Sequence, residues 1–424
     1  MLQDRYGNAL STGSVAARDA YIKGVDLYLE AQPGVEEALT DAVNEDENFA
    51  LAHLGIARNR QVFGDGKGAR AALQHARDAK TRLTDYETGQ IATFGALIEG
   101  RSAEGYTVAR AQLNDHPRDA LVAGACLGVF GLIGFSGQPG REAETLALAE
   151  HLAPAYGDDW WFLCSLAFAH SETGQHAPAE PIIERSLALN PRNANASHYR
   201  SHLYYEVGET KAGYDYLTGW MLDYPRDDLM HCHNSWHIAL WAMAQGDVAQ
   251  MWRIIEADVD PRHSKSPPLN VLTDMASILY RAELAGIDVP AERWQVISDY
   301  AGKLFAKPGL AFADVHAALA HAMAGDGEAL QRIITDAKGP AGDMVSRLAQ
   351  AFGALAAQDW PSAVAYLTGA MSEHQRIGGS RAQRDLIEYA LAGALMRMGN
   401  ADEARRLLAM HRPHTATVGM VAGL

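Results

Sequence analysis

Cysteine is scarce in this chain of 424 residues, which contains only three. Cys126, Cys164 and Cys232 lie in apolar contexts, and no two of them have the Cys-x-x-Cys spacing. An odd number of isolated cysteines predicts reduced core thiols and excludes a disulfide framework. The polar start of the chain lacks a basic segment followed by an apolar one, so no secretory signal is indicated. We therefore expect a cytoplasmic protein.

Long apolar runs, basic residues and strand-like alternation are also lacking. No run reaches the roughly 18 apolar residues that cross a bilayer. The chain has 36 basic and 52 acidic residues and a formal charge of −16, and such a charge repels phosphate backbones and anionic lipids. We therefore expect neither nucleic acid nor a membrane as a partner. With 48% hydrophobic residues, the chain can still bury a large core.

Proline-centred breaks recur at a nearly constant interval. Pro117, Pro154, Pro191, Pro225 and Pro261 are 37, 37, 34 and 36 residues apart, which is the period of a helix pair. A second set of short motifs lies between these breaks, each a glycine or glutamine followed by a polar residue. The first residue can end one helix in the left-handed conformation, and the polar residue after it can cap the next helix. These marks are Gly174-Gln175, Gly208-Glu209, Gly246-Asp247, Gly325-Asp326, the related Gln358-Asp359, and Gly399-Asn400.

The apolar residues between these marks fall at helical spacing. The pattern predicts an all-α fold, a tetratricopeptide-like solenoid of about nine to eleven helix pairs in a right-handed, strongly curved superhelix. We expect one helical-repeat domain over residues 1–411 and a C-terminal tail over residues 412–424, where the periodicity is lost. Because one helix pair cannot bury its own apolar face, neighbouring pairs complete the core and enclose a concave surface.

Two histidine pairs at helical spacing are the best clue to function. His233 and His237 are one turn apart, and so are His198 and His202, which Glu206 follows after one further turn. Residues at this spacing share a helix face. If the two helices are neighbours in the array, four imidazoles and a carboxylate meet in one concavity.

Three separated motifs resemble those of the tetratricopeptide-repeat protein 38 family. They are His-Cys-His-Asn-Ser-Trp-His-Ile-Ala-Leu at residues 231–240, the run of residues 269–286, and Gly-Gly-Ser-Arg-Ala-Gln-Arg-Asp at residues 378–385. The resemblance extends from roughly the first repeat through the Gly-Gly-Ser segment. It implies the helical-repeat fold and carries no catalytic role with it, so each site prediction rests on the residues themselves.

The histidines allow more than one interpretation. In a structural interpretation, the imidazoles are hydrogen-bonded inside a helical layer, to backbone carbonyls or to Glu206 and Asp274. In a functional interpretation, they form a ligand or catalytic site in which His202, His233 and His237 act as general acid or base. Helical spacing is compatible with both interpretations.

A transition-metal site is the third and least favoured interpretation. Each His-x3-His pair can supply two ligands and Glu206 a further one, but such spacing is weak evidence. The zincin motif is excluded because Tyr199 and Asn234 stand where it needs a glutamate. We therefore predict no metal and no cofactor.

Further candidates for ligand binding surround the histidines. Trp236 stands between His233 and His237, and an aromatic wall is typical of a small-molecule pocket. Asp274 and Arg281 have apolar neighbours, so each needs a partner if it is buried, and Arg281 can bind a substrate carboxylate or tie repeats together. The predicted substrate-binding residues are His198, Glu206, Trp236, Asp274, Arg281, His316, Arg381 and Arg384.

The Gly-Gly-Ser segment and His316 have two interpretations each. Ser380 can cap the following helix, or the free N–H groups of that helix can hold an anion with Arg381 or Arg384. The sequence supports both equally. His316 begins an apolar helix where a concave surface should open, and for it a structural role is favoured over a role in binding.

These patterns favour a protein that binds a small molecule or short peptide in a His/Trp-lined concave pocket. One alternative is an enzyme that uses histidine acid–base chemistry on a small anionic metabolite in the same pocket. A second alternative is a protein–protein interaction scaffold, which is a common use of helical repeats. Apolar convex helices or the tail can also pair subunits into a homo-oligomer.

Overall fold

The computed structural model describes residues 1–414 and 419–424, and over these residues the chain is helical. It forms 22 α-helices joined by short turns. The described residues form no β-strand, and they contain a single isolated bridge between Gln3 and Ala9. The predicted all-α helical-repeat class is confirmed. None of the described helices combines the length and the apolar composition that crossing a bilayer requires.

Two compact units divide the chain. The first comprises Met1–Gly134 and Glu142–Tyr199, and the second comprises Phe135–Arg141 and Arg200–Leu424. The boundary between Tyr199 and Arg200 falls inside one continuous helix, Ala194–Glu206, and the residues of this helix from Arg200 onward belong to the second unit. The prediction of one continuous domain over residues 1–411 stays a prediction.

The first unit contains ten helices and the start of an eleventh. Their bounds are α1 (Val15–Glu30), α2 (Val35–Glu45), α3 (Ala50–Val62), α4 (Gly66–Arg77), α5 (Asp85–Ile98), α6 (Ser102–Asp115), α7 (Ala120–Leu127), α8 (Arg141–Tyr156), α9 (Trp160–Glu172), α10 (His176–Leu189) and α11 (Ala194–Glu206). Small residues let these helices approach closely. A Cβ added to Gly24 of α1 or Gly55 of α3 would come within 2.7 or 2.8 Å of the Leu39 side chain, so glycine is required where these helices meet α2.

The second unit continues with eleven helices. They are α12 (Thr210–Trp220), α13 (His231–Ala244), α14 (Val248–Ile254), α15 (Pro268–Leu284), α16 (Ala291–Leu304), α17 (Ala311–Ala324), α18 (Gly327–Asp336), α19 (Gly342–Ala356), α20 (Trp360–Ala370), α21 (Arg381–Arg397) and α22 (Ala401–His411). A short π-helical turn, Ile255–Val259, follows α14, and single 3-10 turns lie at Met221–Asp223 and His374–Ile377.

Inner and outer helices alternate in the second unit. Helices α13, α15, α17 and α21 are buried along almost their whole length. Helices α14, α16, α18, α20 and α22 bury a narrow stripe of residues at helical spacing and expose the rest. The inner helices therefore carry polar residues into the interior, where each polar group needs a partner.

The predicted turns lie where the glycine and aspartate marks place them. Gly325 has φ of +77° and ends α17, and Asp326 then accepts a hydrogen bond from the Ala329 amide at the start of α18. The non-glycine mark also holds, because Gln358 has φ of +58° and Asp359 caps α20. Glycine-like geometry and a capping carboxylate thus define the turn inside a helix pair.

The described part of the predicted C-terminal tail packs onto the second unit. Arg412, Met420 and Val421 are buried, and the Ala422 amide donates to the Leu284 carbonyl. Residues 415–418 of that predicted tail lie outside the described residues. Loss of helical periodicity after residue 411 therefore marks the end of the repeats and not the end of the packed structure.

Candidate functional site

Three buried histidines of the second unit have their rings in contact. His202 of α11 lies 4.7 Å from His237 and 6.4 Å from His233 between ring centroids, and the two rings of α13 are 5.0 Å apart. His198 stands one turn before His202 on the same continuous helix. One nitrogen of each of these four rings lies within 4.8 Å of the others. The structure thus brings together the imidazoles of the two pairs, and their roles stay a prediction.

One face of α15 supplies the polar residues that meet α13. Asp274, Ser277 and Arg281 follow one another at intervals of three and four residues, so they share this face. The Nδ1–H of His233 donates to the Asp274 carboxylate, with Nδ1 at 2.9 and 3.0 Å from its two oxygens. This bond sets the orientation of the ring and places a hydrogen on Nδ1.

Burial favours the neutral form of two imidazoles of the cluster, those of His202 and His237. Burial lowers the pKa of His202 well below its ordinary value, and His233 and Arg412 add to the effect. Burial likewise lowers the pKa of His237, with contributions from His202, His233 and Arg281. Both rings are therefore neutral at neutral pH and present lone pairs, which suits a base or a metal ligand and not a resting acid.

Arg281 is a fully buried guanidinium enclosed by aromatic rings. Its Nη2 donates to the Tyr205 hydroxyl at 2.6 Å and its Nη1 to the Ala382 carbonyl at 3.2 Å. The guanidinium carbon lies 5.7, 5.9 and 5.1 Å from the ring centroids of Tyr205, Trp236 and Tyr389. In the part of the chain that the structure describes, no carboxylate lies within ion-pair distance of Arg281.

Four hydrogen-bond donors around Arg281 are buried without a partner among the described residues. They are Trp236 Nε1, Ser277 Oγ, Arg281 Nε and Tyr389 Oη. Each such group costs roughly 1–3 kcal/mol when it is left unsatisfied, and native proteins contain few of them. We call these four residues the Arg281 donor set. These four donors lie together around one guanidinium.

Arg412 is the main site residue that the sequence did not indicate. Its Nη1 and Nη2 donate to the two Glu206 carboxylate oxygens, both at 2.9 Å, and its Nε lies 2.9 Å from Asp385 Oδ1. The Tyr205 hydroxyl donates to the second Asp385 oxygen at 2.7 Å. The network therefore links Arg281, Tyr205, Asp385, Arg412 and Glu206 in one chain of contacts. Arg412 lies directly after the last helix and belongs to no repeated spacing, so periodicity could not identify it.

The remaining candidates lie at the edge of this network or apart from it. Arg381 Nε is 3.6 Å from a Glu206 oxygen, and an Arg384 Nη1 donates to the Gly379 carbonyl. His316 packs its ring against Phe312 and donates from Nδ1 to the Phe312 carbonyl at 2.7 Å. His316 does not belong to the group of four clustered imidazoles.

Ser380 caps α21, as one of the two interpretations of the Gly-Gly-Ser segment required. Its hydroxyl accepts from the Gln383 amide, while the Gln383 side chain accepts from the Ser380 amide. This reciprocal arrangement is a capping box, which satisfies two N–H groups at the helix start. Arg384, Asp385 and Tyr389 of α21 depend on that start for their position.

We expect Ser380→Ala to lower the free energy of unfolding by about 1 kcal/mol, because the cap of α21 is lost. Urea denaturation checks this, with Ser380→Thr expected to retain most of the stability. The exposed Ser372→Ala serves as control and should change the value by less than about 0.5 kcal/mol. An unchanged stability in Ser380→Ala would show that the cap is dispensable.

The fold and the site define an all-α helical-repeat protein with a buried polar cluster. No protein-family model matches the chain, so the resemblance to the tetratricopeptide-repeat protein 38 family is supported only at the level of the repeat fold. One similar solved structure is the human IFIT1 dimer with m7Gppp-AAAA, which is 15% identical, with 95% of this chain and 90% of that chain covered and a TM-score of 0.45. Another is yeast Tom70, which is 13% identical, with 94% and 84% covered and a TM-score of 0.34. At these identities and TM-scores, the neighbours carry no argument about ligand or activity.

Proposed function

We propose that the second unit binds a small molecule with an anionic group at the Arg281 donor set. The observation that carries the proposal is the group of four buried donors that lack acceptors around one guanidinium. A carboxylate or phosphate group supplies several acceptor oxygens at once, and charge-assisted hydrogen bonds to arginine are the strong ones.

The carboxylates near Arg281 do not compete with such an anion. The nearby carboxylates have partners of their own, since Glu206 is held by Arg412 and Asp274 by His233. Asp385 contacts Arg412 and Tyr205. An incoming anion therefore does not displace an ion pair of Arg281, and Trp236 and Tyr389 provide apolar walls for the rest of the molecule.

Burial of the donor set favours a small molecule over a peptide. Trp236 and Arg281 are 0% and 1% exposed, whereas a peptide needs an open groove along which its backbone can lie. Entry of a ligand requires a local opening of the unit, so we expect slow association. A helical-repeat fold is also consistent with a protein-binding scaffold, and that alternative predicts binding through exposed residues instead.

An enzyme acting on the same ligand is the second candidate. The Asp274–His233 hydrogen bond orients one imidazole in the way that general bases are oriented. The neutral His202 and His237 beside it can accept a proton from a bound molecule. This enzyme would bind the same anionic ligand and transfer a proton from it to one of these rings.

A binding screen on the full chain tests the proposal. We expect at least one member of a panel of small carboxylates and phosphate esters to stabilise the wild-type protein against thermal unfolding, by about 2.7 kcal/mol at a hundredfold excess over the dissociation constant. Arg281→Gln should abolish the shift while circular dichroism stays that of a folded helical protein. Equilibrium dialysis with a labelled hit then measures stoichiometry.

The matched control is Arg293→Gln. Arg293 also lies over a tryptophan ring, 4.3 Å from the Trp252 centroid, but it belongs to the outer helix α16. We expect this variant to bind like the wild type. Equal binding by Arg281→Gln, or no stabilisation of the wild type by any anion of the panel, would overturn the proposal.

A further inference from the structure

We propose that His198, His202, His233 and His237 bind one divalent transition-metal ion, with Zn²⁺ as the reference ion. This inference goes beyond the proposed anion site and does not depend on it. It rests on the positions of the four rings, on the chemistry of their nitrogens, and on the Asp274 carboxylate that orients one of them.

The four ring nitrogens already lie at near-coordinating separations. One nitrogen from each ring is within 4.8 Å of the others. Tetrahedral Zn²⁺ with bonds of about 2.0 Å places its ligand nitrogens about 3.3 Å apart. Adjustments of up to about 1.5 Å, within reach of side-chain rotations on two stable helices, therefore complete the coordination shell. The i,i+4 pair on each helix brings two of the four ligands to one face.

The donor set selects the class of metal. All four donors are imidazoles, which suit zinc, copper, nickel and iron, whereas calcium and magnesium require oxygen ligands. Glu206 and Cys232 could offer oxygen or sulphur ligands, but both side chains have other contacts. Glu206 is held by Arg412, and the Cys232 thiol lies 3.7 Å from an Asp274 oxygen.

Asp274 supplies the outer support that metal-binding histidines usually have. A ligating imidazole commonly donates its other N–H to a carboxylate, which orients the ring and makes it a better ligand. The His233 Nδ1–H donates to Asp274 in this way at 2.9 Å, and both side chains are buried. The negative charge of Asp274 also offsets part of the charge of a divalent ion in a dry interior.

Sequence alone favoured the absence of a metal, because His-x3-His spacing is weak evidence for one. The structure brings the second pair to the first, and four buried donors then form a candidate shell. An ion held by four protein ligands in tetrahedral geometry has no open position, which is typical of a structural metal. We therefore expect the ion to stabilise the folded protein.

Metal binding by the full-length protein tests this inference. The protein is stripped with a chelator, dialysed against Zn²⁺ and assayed by elemental mass spectrometry, and we expect one equivalent of zinc per chain and a higher unfolding temperature than in the stripped protein. His202→Gln and His237→Gln should lose this equivalent. Asp274→Asn should retain all four ligands and weaken the affinity by about 10- to 100-fold.

Two controls separate a specific site from other causes of zinc loss. His316→Gln makes the same substitution at a buried histidine outside the four-ring group and should keep one equivalent. Co²⁺ loaded into the wild type should give the visible absorption of a four-coordinate nitrogen site, a readout that needs no variant to fold.

Arg281→Gln should still bind zinc, so failure of the anion proposal is distinguishable from failure of this one. Absence of zinc uptake by the wild type, six-coordinate Co²⁺, or wild-type zinc uptake in the His202→Gln and His237→Gln variants would overturn the metal site.

Discussion

Replacing Arg412 by methionine is expected to lower the free energy of unfolding of the second unit by about 3–5 kcal/mol, the cost of breaking a buried ion-pair network by removing one partner. Arg412 has 1% of its side chain exposed and contacts both Glu206 and Asp385. Without it, the buried carboxylates Glu206 and Asp385 each lose an arginine contact at 2.9 Å, and Glu206 retains the longer contact with Arg381 at 3.6 Å. Burial already raises the pKa of Asp385 to about 6, even with Arg412 opposing the shift, so the loss of that arginine favours protonation further.

Urea denaturation followed by tryptophan fluorescence measures this effect. Six of the eight tryptophans lie in the second unit, so the signal reports mainly on its unfolding. Arg405→Met is the control, because Arg405 is an exposed arginine of α22 that pairs with Asp402. We expect it to change stability by less than about 1 kcal/mol.

A triple variant tests the electrostatic explanation. Glu206→Gln and Asp385→Asn, combined with Arg412→Met, remove the charges of both carboxylates as well as that of the arginine. Replacing a whole buried ionic network is often close to neutral, so the triple variant should be more stable than Arg412→Met alone. If the triple variant is equally or more unstable, lost packing and not unpaired charge explains the effect.

A large pH effect at a single side chain is expected at His316. Burial lowers its pKa to about 4, against about 6.5 in an unfolded chain. Above pH 6.5 both states carry a neutral ring and the group has no pH effect. As the pH falls below 6.5, the unfolded chain takes up a proton first, so folding stability is lost between about pH 6.5 and 4. At pH 5 the loss amounts to about 2 kcal/mol.

Comparison of the wild type with His316→Gln isolates this contribution. The difference in unfolding free energy between the two proteins should move by about 2 kcal/mol in favour of the variant when the pH falls from 7.5 to 5. The exposed neutral position Gln331→Ala is the control and should follow the wild-type profile. A pH-independent difference between wild type and His316→Gln would show that the His316 ring titrates alike in the folded and unfolded chains.

Local signals account for the fold. Helices and turns follow from apolar spacing and from marks such as Gly325-Asp326, because left-handed geometry and capping depend on residues a few positions apart. The proline-centred breaks are another example, because Pro117 lies between α6 and α7 and Pro191 lies between α10 and α11.

Part of the site could also be predicted from residues that are close together in the sequence. His233 and His237 share a face because they are one turn apart, and Asp274 and Arg281 share one because they are about two turns apart. The apolar neighbours of Asp274 and Arg281 already implied burial with partners. The Asp274–His233 bond that one interpretation allowed is present. His316 shows the limit of such reasoning, because a histidine on an apolar helix can equally pack alone.

The rest of the site depends on contacts between residues far apart in the chain. Helical periodicity indicated which way each imidazole faces, but it contains no information on which helix packs opposite. Arg412 meets Glu206 across 206 positions, and Tyr205 meets Asp385 across 180. The free energy of such pairs exists only once packing has removed water from both partners. Residue order therefore determined the repeats and the inward faces, whereas tertiary packing decided which buried charges, rings and donors share one interior.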